Sequence, residues 1–433
     1  IQSLLRTAGA VADEVGTRIY VVGGFVRDLL LRHENLDVDL VVEGDGIAFA
    51  ERLSGRLSAK VTSHRKFGTA LLTLPDGFKV DVATARTEYY EYPAALHTVE
   101  HSSIKMDLYR RDFTVNALAV CLNGDRYGEL LDFFGGQRDL RDKTLRIIHN
   151  LSFVEDPTRI LRAARFEVRF GLRLSRHAEQ LSTNAIQMGL LDKVSGPRVF
   201  AELQATLREP RPLAILQRLE ALGALGAIHA RFTLGRTTEQ RFERVGEVLA
   251  WYSLLYLPAQ PATWLVHLLV LFEEHPGAEA RAILRRLSPP PKTADAIARD
   301  LAQLRTLARS LQRARETTPS RMHRWLAEAS IEVVLSLMAV VARPELRKAI
   351  GDFLTAKDRV RPFLGGDDLR ALGIQPGPVY RDILNSLLYA RLDGHVQSRD
   401  DELRFVRERF AQAFRSAGSG APRDPRPRRP KTP

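Results

Sequence analysis

The sequence has almost no cysteine and no long apolar run, and each shortage excludes a class of protein. Its single cysteine, Cys121, cannot form an intramolecular disulfide, so a disulfide-stabilised secreted fold is excluded and a reducing cytoplasm is the expected compartment. No apolar segment is long enough to span a bilayer, and no signal-peptide pattern opens the chain, so no membrane partner is expected. The chain begins at Ile1 rather than at a methionine, which indicates a fragment or a processed form.

Acidic residues are in the minority. The 433 residues include 64 lysines and arginines against 52 aspartates and glutamates, which gives a formal net charge of +12. This excess favours a polyanionic partner, because lysines and arginines that neutralise phosphates release counterions. The length exceeds what one hydrophobic core usually supports, so two or more domains are expected. Nothing in these numbers specifies an oligomeric state.

The first third of the chain alternates between predicted strands and helices. Residues 18–22 (RIYVV) form a short apolar strand, and Gly23-Gly24 separates it from a helix over residues 25–31. Residues 37–42 (DVDLVV) form a second strand, in which valine and leucine alternate with aspartate. This pattern predicts a sheet with helices packed against it.

A hairpin and a long connection follow. Residues 69–74 and 79–83 are two strands around a Pro-Asp-Gly turn. Residues 84–108 are polar, rich in tyrosine and without a clear period, which predicts a long mobile loop.

From residue 156 onward, leucine and alanine recur at helical spacing among many arginines, which predicts amphipathic helices. The expected fold class is therefore α+β: a small head with a mixed sheet over residues 1–148, followed by an all-helical remainder. Residues 416–433 are rich in proline and arginine, which is typical of a disordered basic tail.

Three aspartates are candidates for a metal site. Asp37 and Asp39 are two residues apart in a predicted strand, so both carboxylates project from the same face. Carboxylates that share one space repel each other unless a cation lies between them, and Mg²⁺ prefers such oxygen ligands. Asp81, in the strand after the hairpin turn, is a candidate third carboxylate. The alternative is that all three are solvated charges on strands.

A glycine pair lies just ahead of these carboxylates. Gly23 and Gly24 stand between a strand and a helix, where bare backbone lets a ligand approach and the first N–H groups of the helix can bind phosphate. Arg27 lies one turn into that helix and is placed to reach the same anion.

Together these residues resemble a known family. Residues 23–28 (GGFVRD), followed by 37–39 (DVD), are similar to the signature of the nucleotidyltransferase superfamily that includes polymerase β. Residues 110–117 (RRDFTVNA), 155–159 (EDPTR) and 162–166 (RAARF) resemble, in order and spacing, the class II tRNA nucleotidyltransferases and the bacterial poly(A) polymerases. The resemblance covers roughly the first half of the chain.

The resemblance implies an architecture. A polymerase-β-like nucleotidyltransferase head over residues 1–148 is expected to precede a helical neck over 149–215, which recognises the nucleotide base. A helical body and tail over 216–415 would then bind RNA, with the basic segment 416–433 at the end.

It also implies roles for individual residues. Asp37 and Asp39 would hold catalytic Mg²⁺ ions, which lower the pKa of an RNA 3′-hydroxyl and neutralise charge on a nucleoside triphosphate. Arg111 and Asp112 would contact the incoming nucleotide. The alternative for this Arg-Asp pair is a surface ion pair.

Base selection by Asp156 and Arg159 has a physical account. The two are three residues apart at the predicted start of a helix, so they would share one face. A carboxylate accepts from an amino group and a guanidinium donates to a ring nitrogen, a pattern that suits cytosine and adenine and rejects guanine and uracil. The alternative is a helix-capping aspartate with an i,i+3 ion pair. Arg162 and Arg165 continue along the same helix, and the resemblance places them around the nucleotide.

The expected function is template-independent addition of CMP, AMP or both to a tRNA 3′ end, with tRNA and with ATP, CTP or both as partners. The closest alternative is a poly(A) polymerase. His64 stands where a Gly-basic-basic-Phe element of the bacterial poly(A) polymerases has glycine, which favours the tRNA enzymes. A non-catalytic RNA-binding module is the alternative of another class, and the intact carboxylates argue against it.

Overall fold

The computed structural model describes residues 1–89, 98–356 and 360–412. The chain divides into two compact units, of which the first comprises Ile1–Gly235 with Gly277–Ala294 and the second Arg236–Pro276 with the residues from Asp295 onward. Among the described residues, no helix combines the length and apolar character needed to cross a membrane.

The elements of the head follow in this order: α1 Gln2–Glu14, β1 Arg18–Val22, α2 Gly24–Leu30, β2 Val38–Glu43, α3 Gly46–Leu57, β3 Lys60–His64, β4 Thr69–Thr73, β5 Lys79–Thr84, β6 Arg86–Tyr89, β7 Thr98–His101, α4 Ile104–Tyr109, β8 Ala119–Cys121, β9 Leu130–Leu131, α5 Gly136–Arg141 and β10 Thr144–Leu145.

One mixed sheet organises the head. Seven strands lie in the order β3-β4-β5-β2-β1-β8-β9, in which β2 and β5 are parallel and the other neighbours are antiparallel. The register of β2 and β5 places Asp39 opposite Asp81, so these two side chains stand next to each other on one face. The predicted hairpin is confirmed as β4 and β5.

Helix α4 covers the sheet face from which Asp39 projects. Ile104 and Leu108 of α4 are buried in a cluster with Val22 and Val41. Because Val41 follows Asp39 by two residues in β2, both side chains point to the same face. α4 therefore delivers the residues that follow it, beginning with Arg110, beside the carboxylates.

The prediction of one long loop over residues 84–108 is wrong. β6 and β7 form an antiparallel ribbon of their own, and α4 follows. Glu100 and His101 of β7 are exposed, so this ribbon lacks the apolar alternation by which a half-buried strand is recognised. Residues 90–97, between the two strands, lie outside the described part of the chain.

Helices continue the first unit beyond the head. Leu145 of β10 pairs in parallel with Leu174 of a two-residue strand, β11, which ties the sheet region to these helices. The elements are α6 Ser152–Glu155, α7 Thr158–Phe170, β11 Arg173–Leu174, α8 Arg176–Gln187, α9 Leu190–Lys193, α10 Gly196–Arg208, α11 Pro212–Ala221, α12 Ala224–Ile228 and α15 Gly277–Leu287.

The second unit is helical in its described residues. Helices α14 (Thr263–Glu273) and α18 (Ile331–Val340) are apolar on nearly all sides, and most of their residues are buried in its core. Its helices are α13 Thr238–Ser253, α14 Thr263–Glu273, α16 Pro291–Arg313, α17 Pro319–Leu326, α18 Ile331–Val340, α19 Pro344–Ala356, α20 Gly366–Ala371, α21 Pro378–Leu392 and α22 Arg399–Arg409.

The predicted fold class, a mixed-sheet head followed by helices, is confirmed. The division into segments ending at residues 148, 215 and 415 stays a prediction. The basic segment 416–433 lies outside the described residues.

Candidate active site

An open cleft of about 560 Å³ in the first unit gathers most of the predicted site. Ten of the twelve predicted residues line it, whereas Asp81 and Arg165 do not. The ten are Gly23, Gly24, Arg27, Asp37, Asp39, Arg111, Asp112, Asp156, Arg159 and Arg162.

The three predicted metal ligands form one acidic cluster. Carboxylate oxygens of Asp37, Asp39 and Asp81 all lie within 4.8 Å of one another, with Asp39 half-buried and the other two exposed. Burial, followed by the charge of Asp37, raises the pKa of Asp39 to about 6, although Arg111 opposes the shift. Burial and the same neighbouring charge also raise the pKa of Asp81. The cluster is therefore costly to ionise as it stands.

The chemistry of this cluster fits a divalent metal ion. It offers hard oxygen donors from β2, from the residue just before β2, and from β5. Two of the three side chains are exposed and can exchange water for substrate oxygens. A cation between the carboxylates would offset the charge of Asp37, which together with burial raises the pKa values of Asp39 and Asp81.

Gly23 makes room for Arg111. Gly23 has φ +70°, which favours glycine, and a Cβ there would lie 2.7 Å from Nη1 of Arg111. The glycine pair predicts that a group approaches the bare backbone closely. In the structure, the guanidinium of Arg111 is that group. Phosphate binding at Gly23 and Gly24 stays a prediction.

Arg27 is buried in a polar network. Its Nε and Nη2 donate to the two carboxylate oxygens of Asp28 at 2.7 and 2.8 Å, and its Nη1 donates to Oδ1 of Asn116 at 2.6 Å. The guanidinium also lies 4.0 Å from the centre of the Phe170 ring. Arg27 therefore fixes α2 against Asn116, and its predicted contact with an anion is not tested.

Asp112 is a buried anchor, so its interpretation as half of a surface ion pair is wrong. Its Oδ1 accepts from Nδ2 of Asn116 at 2.9 Å, and its Oδ2 accepts from Nε of Arg162 at 2.8 Å. Burial alone would raise the pKa of Asp112, but the charge of Arg162 and these hydrogen bonds hold it below its usual range. Arg111 instead pairs with Asp107, at 3.0 Å between Nη2 and Oδ2.

Asp156 lies outside the helix that begins at Thr158, so the prediction of a shared helix face is wrong. A residue before proline is disfavoured in the α region, and Asp156 precedes Pro157 with φ −134° and ψ 92°. Its Oδ1 accepts from the backbone N of Thr158 at 3.0 Å, so Asp156 binds the first residue of α7 although Pro157 is the N-cap. Its ion pair is with Arg198 at 2.7 Å rather than with Arg159.

Two hydrogen bonds fix the Arg159 guanidinium, and other N–H groups of the guanidinium are not used by them. Its Nη1 donates to Oγ of Ser152 and its Nη2 to the backbone oxygen of Arg110, both at 2.7 Å. These bonds use two of the five N–H donors of a guanidinium, which leaves donors for a base in the cleft. Arg165 instead donates to Glu202 at 2.9 Å.

Relatives of the chain support one family. Residues 19–146 match the Poly A polymerase head domain. The A-adding tRNA nucleotidyltransferase of Geobacter sulfurreducens is 47% identical over 408 residues, which are 93% of this chain and 46% of that protein. The CC-adding tRNA nucleotidyltransferase of Deinococcus radiodurans is 32% identical over 402 residues, 93% of this chain and 91% of that protein. The chain belongs to the tRNA nucleotidyltransferase family.

A solved structure extends the likeness along the chain. The Thermotoga maritima CCA-adding enzyme complexed with tRNA-CCA is 32% identical with a TM-score of 0.74, covering 94% of this chain and 95% of that one. The family resemblance of the motifs is thereby confirmed. The chain spans less than half the length of the Geobacter relative.

Seven residues of the cleft were not among the predicted site residues. Four of them lie inside the motifs quoted from the sequence, although they were not singled out as site residues: Arg110, Asn116, Thr158 and Phe166. The other three come from α10 and carried no signal, since only tertiary packing brings them to the cleft: Arg198, Ala201 and Glu202.

Proposed function

We propose that the chain transfers AMP from ATP to the 3′ end of a tRNA without a nucleic-acid template and releases pyrophosphate. The observation that carries this proposal is one cleft lined both by Asp37 and Asp39 of the acidic cluster and by Asp156 and Arg159. The family supplies the reaction class. The cytoplasm, where tRNA and nucleoside triphosphates are plentiful, is the proposed compartment.

Asp37, Asp39 and Asp81 would hold Mg²⁺. When bound, it lowers the pKa of the attacking 3′-hydroxyl and neutralises charge on the triphosphate. The chain's own part is to position the reactants. Arg111, bridged to buried Asp107 and seated on Gly23, presents a fixed cation at the edge of the acidic cluster.

Asp156 and Arg159 would select the base. Adenine and cytosine each present an amino donor beside a ring-nitrogen acceptor, which complements a carboxylate beside a guanidinium. Guanine and uracil present a carbonyl where the carboxylate needs a donor. Because Thr158 and Arg198 fix Asp156, and Ser152 fixes Arg159, the pair is organised before the nucleotide arrives.

AMP is favoured over CMP because the relative at 47% identity is named A-adding, whereas the CC-adding relative is 32% identical. The net charge of +12 suits an RNA substrate.

Single-nucleotide extension on a sequencing gel tests the proposal. Transcripts of one tRNA that end before CCA, after C and after CC are each offered ATP, CTP, GTP or UTP with Mg²⁺, beside an unstructured RNA. One A added only to the transcript ending in CC supports it. Extension by C would make the chain CC- or CCA-adding, and long A tracts on both RNAs would make it a poly(A) polymerase.

A further inference from the structure

A chain of four aromatic rings lies at the surface of the first unit. Tyr109 stacks on His149, with ring centres 4.9 Å apart and planes 24° apart. Phe134 lies 6.0 Å from Tyr109, and Phe133 lies 6.3 Å from Phe134. Tyr109 and Phe133 at the outer side are 41% and 45% exposed, so both offer ring surface to a ligand.

The exposed rings are fixed from below. Phe134 packs against the buried core of the head, and His149 is half-buried. Phe133 belongs to a turn whose end is locked by Asp132, which accepts from the backbone N of Gly136 at 2.7 Å. A Cβ on Gly136 would lie 2.4 Å from the backbone oxygen of Thr114, so this turn sits tightly on the head. The platform therefore exists before any ligand binds.

The stacked rings of Tyr109 and His149 each adjoin residues next to the cleft or lining it. Tyr109 immediately precedes Arg110, which lines the cleft and whose carbonyl accepts from Arg159. His149 lies 3.4 Å from a carboxylate oxygen of Glu155, the residue before Asp156. Burial, followed by the charge of Arg159, lowers the pKa of His149 to about 4, so this ring is neutral at neutral pH.

The surroundings are those of a single-stranded nucleic-acid site. Nζ of Lys105 lies 5.8 Å from the centre of the Phe133 ring, so a cation and an aromatic face are presented together. Bases stack on such rings without regard to sequence, while the cation meets the backbone. An aromatic surface adjoining Arg110, which lines the same cleft as Asp37 and Asp39, suits the unpaired end of an RNA.

We propose that Tyr109 and Phe133 form a stacking platform, which we call the ring platform, for the unpaired bases at the 3′ end of the RNA substrate. This rests on the proposed function. Tyr109 and Phe133 would hold the strand so that its terminal hydroxyl faces the acidic cluster.

Kinetics separate stacking from general damage. Tyr109→Leu and Phe133→Leu keep apolar bulk but remove the rings, so each should raise the KM for a tRNA transcript ending in CC roughly five- to tenfold, from the weaker end of base–aromatic stacking, with the KM for ATP unchanged. Tyr109→Phe should keep the wild-type KM. Tyr127→Leu is the matched control: Tyr127 is a half-buried ring in the head, contacted by Arg6, that does not line the cleft.

Equal rises in both KM values for the Leu variants would overturn the proposal, because they would indicate a structural defect. So would an unchanged KM for RNA together with altered light scattering, which would make the ring platform a protein interface.

A fluorescent probe reads stacking without catalysis. The terminal cytosine of the transcript is replaced by pyrrolocytosine, whose emission falls on stacking, and protein is added to saturation without ATP. Wild type and Tyr109→Phe should quench the probe, whereas Tyr109→Leu should leave its emission high. Equal quenching by all three overturns the proposal. Because no turnover is needed, this result is distinguishable from a failure of AMP transfer by the wild type.

Discussion

Arg162 of α7 donates through Nε to Oδ2 of Asp112 at 2.8 Å and so joins the helical region of the first unit to the head. Asp112 is at the same time fixed by Asn116, which accepts from Arg27. Polar contacts thus run from α2 through residues 110–117 to α7. They connect the motifs at 23–28, 110–117 and 162–166 around one cleft.

Removing the charge of Arg162 tests this connection. Arg162→Met leaves Asp112 buried without its main counter-charge. We expect the free energy of unfolding to fall by about 2–3 kcal/mol. This is at or below the lower end of the usual loss for a broken buried ion pair, because a third of the Arg162 side chain is exposed. Arg18→Met is the control, since its ion pair with Asp125 is exposed on both sides. Denaturant unfolding measures both, and equal losses would refute the connection.

Substituting Gly23 tests whether the position of the Arg111 guanidinium against this glycine matters for activity. Gly23→Ala places a Cβ 2.7 Å from Nη1 of Arg111 and must displace that guanidinium. We expect kcat/KM for ATP to fall roughly ten- to hundredfold, as small misplacements of catalytic groups do. Gly77→Ala is the matched control, because Gly77 also has positive φ but nothing lies within 4 Å of its Cβ position. Similar activity in the two variants would show that activity does not depend on the close packing of Arg111 against Gly23.

Asp39 is expected to destabilise the metal-free protein. Its folded pKa of about 6 lies above the ordinary 3.8, so wild-type stability falls as the pH rises from about 4 through 6. Asp39→Asn removes this penalty and should be more stable by about 1–2 kcal/mol at pH 8, with the gain gone near pH 4. Mg²⁺ should raise the melting temperature of the wild type much more than that of the variant. Equal stabilisation of both by Mg²⁺ would contradict the metal assignment.

Asp107 should stabilise the protein in the opposite pH direction. Burial alone would raise its pKa, but the charges and hydrogen bonds of Arg111 and Arg110 outweigh burial and hold it below 3.8. A lowered pKa contributes stability that is present above the unfolded value and lost as the pH falls below about 4. Asp107→Asn should therefore melt lower than wild type at pH 7 and lose less on acidification. Parallel melting curves between pH 2 and 7 would refute this role.

Much of the head could be predicted from the sequence, because its signals are local. Alternating apolar residues mark β2 and the Pro-Asp-Gly turn marks the β4–β5 hairpin, and both are in place. Apolar alternation could not reveal β6 and β7, because their sequences, RTEY and TVEH, have no such alternation.

The site was harder to predict where partners come from distant segments. The pairing of Asp39 with Asp81 depends on a parallel register between strands some forty residues apart, and spacing alone cannot fix it. The partner of Asp156 is Arg198 of α10, which no local pattern connects to it. Arg27 illustrates the reverse case: its position suggested an anion, but three of its nitrogens donate to Asp28 and Asn116.

The most direct test of the central claim is AMP incorporation by wild type and Asp39→Ala on the same tRNA transcript ending in CC, with RNA binding measured in parallel by filter retention. The wild type should add one A in the presence of Mg²⁺, whereas Asp39→Ala should bind the transcript with similar affinity but add nothing. Undiminished incorporation by Asp39→Ala, or no incorporation by the wild type, would contradict it.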